Sequence, residues 1–185
     1  MAGNAEKIIE GTIALLAEDP GMSMTAVARR LGIGRTTLYR SFPDRDQLVE
    51  QVRREGARRL VEALEAAAGS RGTGLEMLQA CCERLFEMES ELSLTLAENP
   101  LITESDLAAA AVEKGHKDSP SPIDVAVRRG HRDGSIDTEL PARWVDNLLW
   151  ATLVAGRQFA EESGSRHRAL GLVLTTMRRA VGKTR

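Results

Sequence analysis

Aromatic residues are scarce in this chain: six among 185, namely Tyr39, Phe42, Phe86, Trp144, Trp150 and Phe159. That is too few for the stacking platform on which proteins hold single-stranded RNA bases. Excess charge is missing as well, with 25 basic against 27 acidic side chains and a formal net of −2. A protein that coats nucleic acid by bulk electrostatics needs the opposite. No apolar run approaches the roughly 18 residues that a membrane span requires. The opening residues, Met1 to Lys7, lack the basic-then-apolar layout of a signal peptide, so neither secretion nor membrane residence is expected.

Cysteine is rarer still. Its two occurrences, Cys81 and Cys82, are adjacent and point about 100° apart on a helix, so a disulfide between them would be strained. A reduced, cytoplasmic chain is the simpler expectation. A thiol sensor would need an exposed sulfur near positive charge, and Glu83 and Glu87 offset the nearby Arg84, which favours buried packing. His116, His131 and His167 are scattered, with no pair at metal-ligand spacing. The chain has no Gly-x-Ser-x-Gly elbow, phosphate loop or Cys-x-x-Cys pair. No enzyme activity, metal or cofactor is expected.

Helix formers are what the chain has in abundance. Apolar residues make up 42%, enough for a packed core, and period-two β-branched runs are absent. Turn residues at 19–21, 32–34, 43–44, 69–74, 99–100, 115–122, 133–135 and 163–165 divide it into about nine helices. The class is therefore all-α. The first helix is expected over residues 5–18, with Ile9, Ile13 and Leu16 as its core stripe, and a long helix is expected to run from Asp44 to Ala68. The remaining helices fall at about 75–98, 104–114, 122–132, 141–163 and 166–181. The glycine-rich residues 69–74 are the candidate boundary between a small head and a larger body.

Residues 24–42 have the spacing of a helix-turn-helix. Ala28 is small where two helices cross, and Gly32 sits where the chain turns sharply. Val27, Leu31, Ile33 and Leu38 supply the apolar contacts between the helices. From Pro20 to Pro43 there is no acidic residue, while Arg29, Arg30, Arg35 and Arg40 contribute +4. A net of −2 thus resolves into +4 on this segment and −6 on the remainder. Phosphate contact and major-groove entry call for such a basic second helix.

Two runs go beyond a generic motif: Ser23-Met24-Thr25-Ala26-Val27-Ala28-Arg29-Arg30-Leu31-Gly32, and Leu38-Tyr39-Arg40-Ser41-Phe42 followed by Arg45 between acids. Over about residues 5–55 the chain strongly resembles the N-terminal domain of TetR-family transcriptional regulators. The resemblance implies a helix-turn-helix DNA-binding domain over residues 1–48 and a ligand-binding and dimerisation domain over 49–185. It implies DNA contacts from Ser23, Thr25, Arg35, Thr36, Thr37, Tyr39, Arg40 and Arg45, with Tyr39 and Arg45 at positions that usually grip phosphate. Arg45 stands where lysine is more usual, and Gly34 where a Ser or Thr cap is common. Leu38 and Phe42 read as core.

The resemblance also implies a homodimer through the helices at about 141–163 and 166–181. Trp144, Leu148, Ala151, Ala155 and Phe159 recur at helical spacing on the first, and Leu170, Val173, Leu174, Met177 and Val181 on the second. Met77, Cys81, Phe86, Met88, Trp150 and Phe159 are candidate lining for an effector pocket, each having ordinary core packing as its alternative. The expected function is a bacterial, homodimeric repressor released from double-stranded operator DNA by a small-molecule effector. The rival reading is a helical small-molecule or partner-binding module without operator binding.

Overall fold

The computed structural model describes residues 2–69, 71–116 and 119–183. Met1, Ser70 and residues 117–118, which entered the expectations for the N-terminus and for the turns at 69–74 and 115–122, lie outside the described residues. Ten α-helices follow in order: α1 Ala2–Glu18, α2 Met24–Arg30, α3 Arg35–Ser41, α4 Arg45–Ala68, α5 Gly74–Glu87, α6 Glu89–Leu96, α7 Glu104–Glu113, α8 Pro122–Asp133, α9 Ala142–Ser163 and α10 Arg166–Val181. Among the described residues the only β pairing is a single bridge between Ile136 and Gly182. No described helix is long and apolar enough to cross a membrane. The all-α class expected from composition is observed.

Local chemistry sets most of the helix starts. Thr73 opens α5, accepting from the Glu76 backbone N–H while the Glu76 side chain accepts from the Thr73 N–H; Thr103 with Asp106 and Ser121 with Asp124 do the same for α7 and α8. Each such box satisfies two backbone donors that a helix start otherwise leaves unpaired. Pro141 precedes α9 as its N-cap rather than lying inside its first turn, because its ψ of 146° is extended.

One expected helix is two. The stretch read as continuous from 75 to 98 breaks at Met88, whose φ of −87° and ψ of 67° are not helical. No glycine or proline marks the spot. The break coincides with a change of compact unit: Leu85 and Phe86 are buried in one, Leu92 and Leu94 in the other.

Those units are discontinuous in sequence. The first comprises residues 1–61 and 89–115, the second residues 62–88 and 116–185. In the first, α1 buries Ile8, Thr12, Ile13, Leu15 and Leu16; Ile9, expected in the stripe, is only half-buried. Arg53 on α4 donates to Asp106 at 2.8 Å, and Arg54 to Glu113 at 2.7 Å, tying α4 to α7. Glu91, buried on α6, lies 3.5 Å from the Arg59 guanidinium on α4. In the second unit α5 packs on α8 and α10, and α9 on α10. The α5–α8 crossing is close: a Cβ at Gly74 would overlap the backbone of Ala126 and Gly130.

Candidate nucleic-acid interface

The helix-turn-helix is assembled from the inside outward. Val27 and Leu38 are 1% and 0% exposed, and Phe42 is buried beside them in the core, as their sequence positions imply. Leu31 and Ile33 are half-buried. Leu31 packs against α1 so closely that a Cβ on Gly11 would come within 2.5 Å of its Cδ2. Ser23 caps α2 by accepting from the Ala26 N–H. Between α2 and α3 the chain turns at Gly32, whose φ of +67° lies in the left-handed region that disfavours any side chain. Burying a leucine as completely as Leu38 contributes about 2 kcal/mol, which fixes the rotation of α3 about its own axis.

That rotation leaves Arg35, Thr36, Tyr39 and Arg40 exposed on α3, with Thr37 half-buried. Tyr39 is 43% exposed, unusual for a large aromatic ring without a partner surface. The helix begins at Gly34 with no side-chain cap, so its first turn presents bare backbone N–H groups. Thr25 and Ser23 are exposed at the start of α2.

The cationic side chains divide by partner. Arg30 is paired with Glu18 at 2.7 Å. Arg29, Arg35 and Arg40 have no ion-pair partner among the described residues, so three of the four cations of this segment remain uncompensated. Arg45 is placed differently from the rest: its guanidinium donates to the backbone oxygens of Pro20 at 2.5 Å and Met22 at 3.4 Å. It braces the turn between α1 and α2 from the start of α4. In sequence Arg29 contributes only charge to the segment; its exposure without an ion-pair partner is set by the fold, in which its neighbour Arg30 takes Glu18.

Of the six side chains considered for an effector pocket, Met77, Cys81 and Phe86 are buried, with Cys81 at 0% exposure. Phe86 accepts Arg166 at its carbonyl at 2.6 Å and carries the same guanidinium 5.3 Å above its ring. Trp150 is half-buried and donates from Nε1 to Asp146 at 3.1 Å. Phe159 lies under Arg168 at 5.5 Å, and Met88 caps α5. Burial pushes the Cys81 thiol up to about 11 and the Cys82 thiol to about 12, the Cys81 and Glu83 charges adding to the latter. Neither sulfur is a thiolate at neutral pH. Among the described residues no three His, Cys, Asp or Glu side chains gather as metal ligands.

Residues 8–52 match the family model described as bacterial regulatory proteins of the tetR family. Over 170 residues, 92% of this chain and 86% of the relative, the sequence is 23% identical to the HTH-type transcriptional repressor LfrR of Mycolicibacterium smegmatis. The fold is similar to the crystal structure of the TetR-like regulator LfrR from Mycobacterium smegmatis in complex with proflavine, with a TM-score of 0.73, 21% identity and full coverage of both chains. It is also similar to the ketosteroid transcriptional regulator KstR2 of Mycobacterium tuberculosis, with a TM-score of 0.70, 17% identity and coverage of 98% of this chain and 96% of the other. The exposed basic face of α3 is held by a helix-turn-helix core, and residues 8–52 match the tetR-family model, so this segment is a TetR-type helix-turn-helix, in a chain whose whole length is similar to a transcriptional repressor of that kind.

Proposed function

We propose that the protein is a cytoplasmic homodimeric repressor that binds a roughly palindromic operator and leaves it when a small molecule binds the body. The observation that carries the DNA half of this reading is the set of exposed guanidinium groups without an ion-pair partner among the described residues, Arg29, Arg35 and Arg40, together with the exposed Tyr39. In it, residues 1–48 read DNA and residues 49–185 bind ligand and dimerise. Arg35, Thr36, Thr37 and Arg40 reach base edges or phosphates from the recognition helix, while Tyr39, Ser23 and Thr25 grip the backbone. Arg45 holds the α1–α2 turn in register for them.

Dimerisation is supported by the outer faces of α9 and α10. Val145, Leu149, Thr152, Leu153 and Gly156 are buried within the unit, whereas Trp144, at 59% exposure, Ala151 and Ala155 face outward. On α10, Leu172 is 46% exposed. One small head makes few contacts, and pairing two of them supplies two half-sites in successive major grooves. A ligand releases DNA only by binding more tightly to the conformation that does not fit the operator, typically by about 1–3 kcal/mol of coupling.

Gel-shift titration against the promoter beside its own gene is the direct test. Arg40→Ala, which removes one contact from each of the two heads, is expected to lower the slope of log affinity against log salt by about 2, and Arg30→Ala, whose side chain is already paired with Glu18, by less. No salt-sensitive shift with any flanking promoter would overturn the reading. Proflavine, with which the relative LfrR was crystallised, is the first effector to add. If Tyr39→Ala and Arg40→Ala leave the biological effect unchanged, the protein is a binding module that acts without operator DNA.

A further inference from the structure

A groove of about 730 Å³ opens in the second unit between the end of α4, the first turn of α5 and the outer face of α8. Of the six side chains that the family resemblance suggests for an effector pocket, only Met77 lines it. Its charged walls are unequal in a way that selects a ligand.

Two carboxylates and two guanidinium groups face the groove: Glu76, Asp133, Arg129 and Arg132. The carboxylate oxygens are already engaged. Glu76 Oε2 accepts from the Thr73 N–H at 2.7 Å and the Thr73 hydroxyl at 3.0 Å. Asp133 accepts from the Gly74 N–H at 2.8 Å and the Ser135 N–H at 3.0 Å. These bonds hold both carboxyls below their usual range: Thr73 for Glu76, and Ser135 followed by Gly74 for Asp133. They also tie the start of α5 to the end of α8, so the walls are fixed.

The guanidinium groups have no such direct bonds to a carboxylate, although the charge of Arg129 also helps from a distance to lower the Glu76 and Asp133 carboxyls. Half-buried Arg129 donates to the thioether of Met77 at 3.3 Å, a weak acceptor for a charged fork of five N–H donors. Arg132 donates only to the Arg128 carbonyl, at 3.4 Å. Neither has an ion-pair partner among the described residues. Beside them the groove is apolar, lined by Ala68, Met77 and Val125, the last 37% exposed.

We propose that this groove binds a small amphipathic monocarboxylate, an alkyl or aryl acid whose carboxylate docks on Arg129 and whose apolar body lies along Met77, Val125 and Ala68. A planar carboxylate matches the guanidinium fork with two parallel hydrogen bonds. The ionised Glu76 and Asp133 nearby repel an anion at longer range, so one directly bonded charge is favoured over a polyanion such as a phosphate ester. Binding at the groove stands apart from the operator reading; only the consequence for DNA rests on it.

The test is calorimetric titration of the full chain with octanoate and 1-naphthoate, each against its neutral amide. At least one acid is expected to bind saturably, its amide at least tenfold more weakly. Arg129→Gln should weaken the acid at least tenfold, and Arg129→Lys should retain part of the affinity. Val125→Glu, at an exposed position, keeps the fold and sets a carboxylate in the groove, so it should abolish binding even if Arg129→Gln fails to fold. The proposal is overturned if neither acid binds, if acid and amide bind alike, or if binding survives both Arg129→Gln and Val125→Glu. A parallel gel shift separates the two readings. Binding without operator release leaves the groove assignment standing and counts against the effector role. Release by octanoate that Arg129→Gln does not alter overturns the groove.

Discussion

Arg45 illustrates how much a single side chain's partners decide. By motif it is a phosphate contact; by geometry it donates to two backbone oxygens of the α1–α2 turn. Charged donors to otherwise unpaired carbonyls stabilise by about 1 kcal/mol at a partly exposed site. Arg45→Ala is therefore expected to lower the urea midpoint of the free protein in the absence of DNA. A midpoint equal to that of the parent would leave phosphate contact as its only role. The vicinal cysteines show the same dependence on surroundings. Both are fully buried, and burial raises their thiols to about 11 and about 12. A thiol raised in the fold favours the neutral folded form, so its contribution is complete below its ordinary value of 9.0 and fades as pH climbs toward the raised values. The native protein should resist a disulfide reagent at pH 8 and react with two equivalents once unfolded. Fast native labelling would revive the sensor that the sequence left open. Adjacent cysteines were visible at once; their solvent exposure was not, because no local pattern encodes what packs against a sulfur.

At the scale of elements, spacing, the acid-free +4 segment and two specific residue runs together located the helix-turn-helix. Buried Leu38 and Phe42, four positions apart, against exposed Thr36, Tyr39 and Arg40 give α3 a helical periodicity, and the structure keeps it. The break at Met88 has no local breaker to announce it; it falls where the chain passes from one compact unit to the other. Likewise, Gly74 reads in sequence as a loop glycine, yet it is the contact point of α5 with α8, where a Cβ would strike the Ala126 and Gly130 backbone. Backbone atoms cannot rotate away as a flexible side chain can. Gly74→Ala is expected to cost about 3 kcal/mol through overpacking, seen as a lower melting temperature, whereas Gly171→Ala, with open space at its Cβ, should be neutral or slightly stabilising. Equal melting temperatures for the two variants would mean that α5 and α8 do not meet at this distance.

For the molecule as a whole, the proposed dimer turns on a face the sequence marked only in part. Trp144 was on the expected stripe of α9, but Leu172 was not on that of α10, where Val173, Met177 and Val181 are buried in the unit's own core. Leu172→Glu is expected to shift the protein toward monomer in sedimentation velocity while its helical circular dichroism is unchanged. Operator affinity should fall at least tenfold as paired half-site binding is lost. A dimer undisturbed by both Leu172→Glu and Trp144→Glu would move the interface elsewhere. The amino-acid order by itself determined the helical class, the position of the turn at Gly32 and the basic identity of α3. These depend on residues within a few positions of one another, and propensity, capping and periodicity act at that range. Only tertiary structure decided which partner each guanidinium group meets. Arg30 meets Glu18, Arg45 meets Pro20 and Met22, and Arg129 is left with a thioether. Bringing guanidinium groups to partners 12 to 52 positions away requires the packed core first, so the six aromatics and the near-zero net charge could exclude functions but could not locate a site.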